Sequence, residues 1–336
     1  MVLHKMKTIG IVGATGLVGQ ALLEELLKIP ACRSKNFVLF SSDKTAGYLC
    51  DLKGSRSKIE SLADDWLKKV DFWFFATPKH VAAHWIPIIL SNSGANCIDG
   101  SSAFRLCEEI PLIIPEINMY QLTPTKRLVA SPNCTTTIAL MALWPLHKIF
   151  HLKRFWVHSY QSASGMGNDG MRELEEQIKS WSEGKSCANI RNFYKPLAFN
   201  AIPQIGNLDA DGVSGEERKL VLESRKILGD ETLKIFANCV RVPVLRCHSM
   251  EINAEFDETL DLDVAKMALK SAEGLRWYEE DYPTALECSK QGACGVGRLR
   301  YDNALDNGMA LWVVGDQLLK GAALNMVQIF QHWMTL

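Results

Sequence analysis

Apolar positions along the chain change rhythm near residue 134. Before it, short apolar runs alternate with segments of helical spacing. Residues 8–12 (TIGIV) read as a buried strand. In residues 17–29, Leu22, Leu26 and Ile29, with Leu23 and Leu27, recur at helical intervals, and Pro30 stops the run; this predicts an amphipathic helix. Residues 37–40, 71–76 and 96–99 read as three more buried strands. The alternation predicts an α/β domain, a doubly wound parallel sheet with helices on both faces. After residue 134 the pattern is different. Residues 155–161 predict a strand, a glycine-rich loop follows, and residues 171–181 predict a polar helix, while residues 186–213 carry no regular pattern. Strands are predicted over 236–246 and over 250–256, where Met250, Ile252, Ala254 and Phe256 alternate; two more fall near 296–301 and 309–314. A helix from about Gln317 closes the chain. Such a run suits an antiparallel or mixed sheet in an α+β second domain.

Composition adds bounds. A chain of 336 residues with 47% hydrophobic positions is long enough for two cores. Charge nearly cancels, 37 basic against 38 acidic residues, so no nucleic-acid partner is expected and any anionic ligand must meet local cations. The longest apolar runs are interrupted by Pro, His, Lys or Asp, so no membrane span is expected. The first residues enter a strand with no signal-peptide pattern. Ten cysteines stand without CxxC spacing, which argues against a metal site. Reduced thiols in the cytoplasm are the expectation.

Three groups of residues carry candidate chemistry. Gly13-Ala14-Thr15-Gly16-Leu17-Val18-Gly19 joins a strand to a helix, a variant of the glycine turn that lets backbone N–H groups approach a pyrophosphate. Ser41, Ser42, Asp43, Lys44 and Thr45 follow the second strand; hydroxyls with a cation suit a 2′-phosphate, which favours NADP, and Asp43 is the counter-argument. Cys134, in Ser131-Pro132-Asn133-Cys134, stands where a strand gives way to a helix, and the positive helix end favours thiolate. Cations and a carboxylate complete the set. Arg105 follows the fourth strand and suits a phosphate or carboxylate. Ser214 and Glu217 form a capping box, which puts Glu216 and Lys219 on one helical face, an acid beside a base. Arg241 and His248 flank one strand end, and histidine is the commonest proton shuttle. Gln161 ends its strand with an amide that can orient a carbonyl, whereas His158 on the same strand reads as a packed core residue.

These motifs, with IPEIN, VGRLRYD and LWVVGDQLLKGAALN, resemble the aspartate-β-semialdehyde dehydrogenase family over nearly the whole chain. The resemblance implies a Rossmann-like NADP-binding domain (residues 1–132 and 317–336) and an α+β catalytic and dimerisation domain (residues 133–316). It implies Cys134 as nucleophile, His248 as acid–base, Gln161 as the group positioning the acyl intermediate and Asn133 as a helper at its oxygen. Arg241 would bind the substrate α-carboxylate, Glu216 its ammonium, and Arg105 and Lys219 phosphate. Cofactor contacts would come from Gly13, Thr15, Gly16, Leu17, Val18, Ser41, Lys44, Thr45, Ser164, Gly165 and Gln317. The implied reaction converts 4-phospho-L-aspartate to L-aspartate 4-semialdehyde and phosphate, reversibly, through a cysteine thioester, on the way to lysine or diaminopimelate, methionine and threonine. A homodimer is implied, with a tetramer as the larger alternative. The chain departs from the family pattern at Lys44, at Ala76-Thr77-Pro78-Lys79 and at Gln317. The competing readings are N-acetyl-γ-glutamyl-phosphate reductase, whose substrate lacks the free ammonium that Glu216 suits, and a catalytically silent NADP-binding relative.

Overall fold

The computed structural model describes residues 6–42, 46–52, 55–186 and 190–336; Asp43, Lys44 and Thr45 lie outside them. Contacts divide the chain into two units, Met1–Asn133 with Ala322–Leu336, and Cys134–Gly321. The first crossing comes one residue after the expected boundary. Residues 317–321, expected with the first domain, belong to the second, where Gln317 is bonded to Cys247 and Ser164.

The first unit is built on a seven-stranded sheet. Its strands are β1 (Thr8–Val12), β2 (Asn36–Ser41), β3 (Leu49–Leu52), β4 (Ser55–Ser61), β5 (Phe72–Phe75), β6 (Asn96–Asp99) and β7 (Leu128–Ala130), in the order β3-β4-β2-β1-β5-β6-β7. All pair in parallel except the edge strand β3, which runs antiparallel to β4. The β3–β4 hairpin has no counterpart in the sequence reading, because residues 49–61 lack a continuous apolar run. The chain winds outward from β1 in both directions, so the carboxyl ends of β1 and β5 form the switch point where α/β sheets bind ligands. Helices α1 (Leu17–Lys28), α2 (Lys79–Asn92) and the short α3 (Pro115–Asn118) belong here. Central strand β5 is Phe-Trp-Phe-Phe and wholly buried, as a strand covered on both faces must be. Phe72 packs on Phe330 and Trp333, while Trp73 stacks on Phe40 at 5.2 Å. Each such ring contributes on the order of 1.5–3 kcal/mol through burial.

The second unit holds a six-stranded mixed sheet of β8 (Leu152–Gln161), β9 (Lys234–Arg241), β10 (His248–Phe256), β11 (Leu275–Trp277), β12 (Cys294–Tyr301) and β13 (Gly308–Gly315), ordered β11-β12-β13-β10-β8-β9. Its helices are α4 (Cys134–Phe150), α5 (Gly167–Ser182), α6 (Gly215–Leu228), α7 (Leu262–Ser271) and α8 (Ala285–Cys288). Helices α4, α6 and α7 pack on the sheet. Two expected spans change. The strand predicted to reach residue 246 ends at Arg241, because Val242-Pro243 breaks the ladder, and the polar helix begins at Gly167 rather than 171. His158 is a correction: β8 alternates, burying Phe155, Val157, Ser159 and Gln161 and leaving His158 half-exposed against Phe236 on the other face. The closing helix α9 (Leu324–Trp333) belongs to the first unit; the turn before it, Leu319–Ala323, is a π-helix.

Candidate active site

In the first unit, Gly13 turns the chain after β1 with φ +86. A Cβ there would lie 2.2 Å from the Ala76 carbonyl oxygen just past β5, so only glycine fits both the dihedral and the space. The N–H groups of Gly13 and Ala14 donate to the Phe40 carbonyl at 2.9 and 3.1 Å, and Thr15 Oγ1 meets Ser41 Oγ at 2.7 Å. The turn is thus tied by hydrogen bonds to the end of β2 and lies close against the end of β5. Gly16 opens α1 without a side-chain cap, and no acidic residue occupies the first turn. Its N–H groups, through Leu17 and Val18, present a positive helix end suited to a dinucleotide pyrophosphate. The Thr15–Ser41 hydroxyl pair fits the ribose side of such a ligand.

Arg105 is buried in the loop after β6. Its Nε donates to the Ser131 carbonyl at 2.9 Å and its Nη2 to the Gly100 carbonyl at 2.8 Å. Asn325 Nδ2 donates to Ser131 Oγ at 3.0 Å. These bonds pin the Ser131-Pro132-Asn133 segment; Asn133 is itself buried.

The second unit assembles the remaining candidates. Strand register places Gly315, His248, Gln161 and Arg241 in one row across β13, β10, β8 and β9. Paired residues share a face, so four positions far apart in sequence stand side by side. At the end of this row the Gln161 Nε2 lies 3.3 Å from His248 Nε2 and donates to Glu216 Oε1 at 3.2 Å. Ser159, two residues earlier on the same face, donates to Gln161 Oε1 at 3.1 Å and so sets the amide's orientation. Arg241 Nη1 donates to the Ser162 carbonyl at 2.5 Å. Its guanidinium lies against Gly165, where a Cβ would stand 2.7 Å from Nη1, and it lines a cavity of about 390 Å³ with Met166, Asn192, Tyr194 and Gln204.

Two helix starts meet this row. Cys134 is the first residue of α4, partly exposed, with no acidic residue in that turn. Gly321 crowds it: a Cβ there would lie 2.8 Å from Cys134 Cβ. Thr135 Oγ1, 4.0 Å from the Cys134 thiol, donates to Glu216 Oε1 at 3.3 Å. Glu216 is held at the start of α6 by the capping box, in which Ser214 N–H donates to Glu217 Oε2 at 2.7 Å. Such a cap is worth about 1 kcal/mol. Glu217 also accepts from Cys239 N–H, and Arg218 pairs with Asp209, so both turn away from the site. Lys219 Nζ donates to Glu216 Oε2 at 3.1 Å.

Electrostatics follow from burial. Desolvation, then the Arg241 charge, drives His248 down from 6.5 to about 3, with Glu216 pulling the other way. The ring is therefore neutral at neutral pH. Burial also pulls Arg241 below its ordinary value, opposed by Glu216 and by Cys134, whose negative forms it attracts. A thiolate at residue 134 gains from both a helix end and a guanidinium.

The structure thus gathers Cys134, Gln161, Glu216, Lys219, Arg241 and His248 within one unit. Ser164 and Gln317, expected at the cofactor, are bonded to each other, and Gln317 Oε1 accepts from Cys247 N–H at 2.8 Å. Thr135, Ser159, Ser162 and Gly321 were not singled out from sequence. Ser159 had a signal: period two places it on the face of Gln161. The others had none beyond adjacency to a named residue. Among the described residues no group of His, Cys, Asp or Glu side chains suits a metal ion.

Two family models match the chain: semialdehyde dehydrogenase, NAD binding domain, over residues 8–124, and semialdehyde dehydrogenase, dimerisation domain, over residues 143–320. The chain is 38% identical over 331 residues to aspartate-semialdehyde dehydrogenase of Synechocystis sp., covering 96% of this chain and 95% of that protein. It is similar to the structure of aspartate semialdehyde dehydrogenase II of Vibrio cholerae complexed with ASA, with a TM-score of 0.92 and 32% identity, covering 97% and 98% of the two chains. The fold also matches the Candida albicans aspartate semialdehyde dehydrogenase with NADP, with a TM-score of 0.73 and 20% identity, covering 99% and 100%.

Proposed function

The chain belongs to the aspartate-semialdehyde dehydrogenase family, and from that premise we propose how its residues carry the reaction. The activity is the reversible reductive dephosphorylation of 4-phospho-L-aspartate to L-aspartate 4-semialdehyde, with NADP as cofactor. The observation that carries the residue assignment is the thiol at the start of α4 beside the Gln161–His248–Arg241 row and Glu216.

Arg241 takes the substrate α-carboxylate from the wall of its cavity, and Glu216 takes the ammonium. Glu216 already binds one ammonium, that of Lys219, which supports this choice over an acetylated, uncharged amine. The Cys134 thiolate attacks the acyl carbon; a C–S bond forms and the bond to phosphate breaks. Arg105 and Lys219 are the cations assigned to the phosphate. Gln161 orients the acyl group, and Asn133 with the first N–H groups of α4 stabilises its oxygen. Bound NADPH supplies the hydride that reduces the thioester. Gly13, Thr15, Gly16, Leu17, Val18 and Ser41 are the residues that would hold it, with Lys44 and Thr45 proposed from sequence alone. His248, neutral at rest, takes up the Cys134 thiol proton as the thiolate forms, passes it as imidazolium to the thiohemiacetal oxygen, and recovers it as the C–S bond breaks, releasing aldehyde and thiolate. The test is purified protein with aspartate semialdehyde, phosphate and NADP or NAD. Phosphate-dependent reduction of NADP supports the reading, and its absence with both cofactors overturns it.

The partner proposed is a second copy. On the sheet face opposite Gln161, Trp156, His158, Tyr160, Phe236 and Trp312 form a partly exposed aromatic surface, with Tyr160 and Trp312 rings 5.7 Å apart. A dimerisation-domain match over this sheet supports a homodimer through that face, with a tetramer as the larger alternative. Light scattering on the wild type and Phe236→Lys checks it, since a dimer through this face dissociates in the variant. Among the described residues no helix is long and apolar enough to cross a membrane, and the cytoplasm remains the proposed location.

A further inference from the structure

His248 is fully buried, so each polar group at its ring edges decides what the ring can do. At Nδ1 stand two atoms of one residue. The Ser162 backbone N–H points at it from 3.2 Å, and the Ser162 hydroxyl lies 3.3 Å away. The two differ in kind. A backbone N–H only donates, so it matches an Nδ1 without a proton. A hydroxyl rotates and can donate or accept. For Nε2 to take up a proton, Nδ1 must carry one, and that proton needs an acceptor. The hydroxyl provides one; the backbone N–H opposes it.

The hydroxyl is also tethered. Ser162 Oγ lies 3.0 Å from Ser164 Oγ, which accepts from Gln317 Nε2, and the other end of that amide accepts from Cys247 N–H. The string returns to the residue before His248 and closes a ring around the imidazole. Cys247 holds φ +74, an unfavourable conformation for a residue with a side chain. Gln317 therefore steadies a strained backbone next to His248 while fixing the serine pair. The other groups facing the ring are Gln161 from β8, the charge of Arg241 from β9, the carboxylate of Glu216 from α6 and the carbonyl of Cys247. Gln161, Arg241 and Glu216 are already assigned to substrate and a backbone carbonyl only accepts, so the Ser162 hydroxyl at Nδ1 is the partner that can both donate and accept.

We propose that Ser162 is a positioning residue for the reaction, its hydroxyl accepting the Nδ1 proton that His248 keeps both while Nε2 takes up a proton as a base and while the resulting imidazolium gives it back as an acid. The proposal rests on His248 being the acid–base. Ser162→Ala keeps the backbone N–H and removes the acceptor. It is expected to lower kcat about tenfold with KM for aspartate semialdehyde and NADP within about twofold. Losing an acceptor for the charged ring also moves the His248 limb of the pH–rate profile to lower pH. Ser162→Thr restores the hydroxyl and both properties. Wild-type kcat and pH profile in Ser162→Ala, or a threonine variant no better than alanine, overturns the proposal. His248→Asn is run alongside. If it keeps wild-type turnover, the acid–base reading itself fails; if it is inactive while Ser162→Ala is normal, only the role of Ser162 fails. Should Ser162→Ala misfold by circular dichroism, Ser164→Ala, which frees the same hydroxyl from its tether, is expected to give a smaller shift of the same sign, and no shift overturns the proposal.

Discussion

The glycine turn of the first unit and the catalytic row of the second are built in opposite ways. The turn is contiguous: Gly13 to Gly19 carry the dihedral, the close approach and the helix start within one strand–turn–helix. The row is assembled: Gln161, Arg241 and His248 meet only because β8 pairs in parallel with β9 and antiparallel with β10. Cys134 and Glu216 are delivered by two further helices. A contiguous site depends on local backbone chemistry, whereas an assembled one depends on register. A one-residue slip of β10 would turn His248 to the opposite face.

That contrast can be broken or sharpened by substitution. The largest effect is expected for Cys134→Ser. Turnover should fall by at least about 10⁴-fold, because a hydroxyl does not ionise where a thiol does. NADP affinity, measured by fluorescence titration, should stay at its wild-type value; a loss there would mean the two sites are not separable in this way. Gly13→Ala is the mirror experiment. A Cβ facing a backbone carbonyl at a positive φ costs on the order of 1–3 kcal/mol in strain alone. NADP binding should weaken by more than about tenfold, while Cys134 should still react with a thiol reagent at the wild-type rate.

Glu216→Ala should act within the row. Removing a charge-assisted hydrogen bond costs about 1.5–3 kcal/mol, so KM for aspartate semialdehyde should rise about 10- to 100-fold. Discrimination against an N-acetylated substrate should relax. An unchanged KM would remove Glu216 from ammonium binding. A further effect is on stability against pH rather than on turnover. His248 sits below its unfolded value of 6.5, near 3, so the unfolded chain binds more protons between those values. The stability from its neutral burial is present above pH 6.5 and is lost as pH falls toward 3, at up to about 1.4 kcal/mol per pH unit. The melting temperature of the wild type should fall more steeply through that window than that of His248→Asn; parallel curves would show that the buried ring does not titrate in this way.

Much of the first unit was legible because its signals are local. The buried runs at β1, β5 and β6 and the helical spacing of α1 each announce one element. The β3–β4 hairpin was not, since an edge hairpin needs no apolar run. In the second unit the residue types were legible and their arrangement was not. His158 and His248 both stand in apolar strands, and only strand pairing shows one half-exposed beside Phe236 and the other buried beside Gln161. Gln317, expected at the cofactor by its motif, has its amide bonded to Ser164 and Cys247, two partners that spacing alone does not name.

Sequence alone determined the local chemistry: a glycine turn after a strand, a thiol at a helix start, a capping box that sets Glu216 beside Lys219. Each rests on dihedral preferences and on hydrogen bonds a few residues long, so spacing suffices to reveal it. Tertiary structure decided which of these groups share a space. The row of Gly315, His248, Gln161 and Arg241 spans 155 positions of sequence and one width of four strands, from 161 to 315 counted inclusively. Its members meet through hydrogen bonds between strands whose partners no local pattern names, and the protonation of His248 follows from the burial that this pairing imposes.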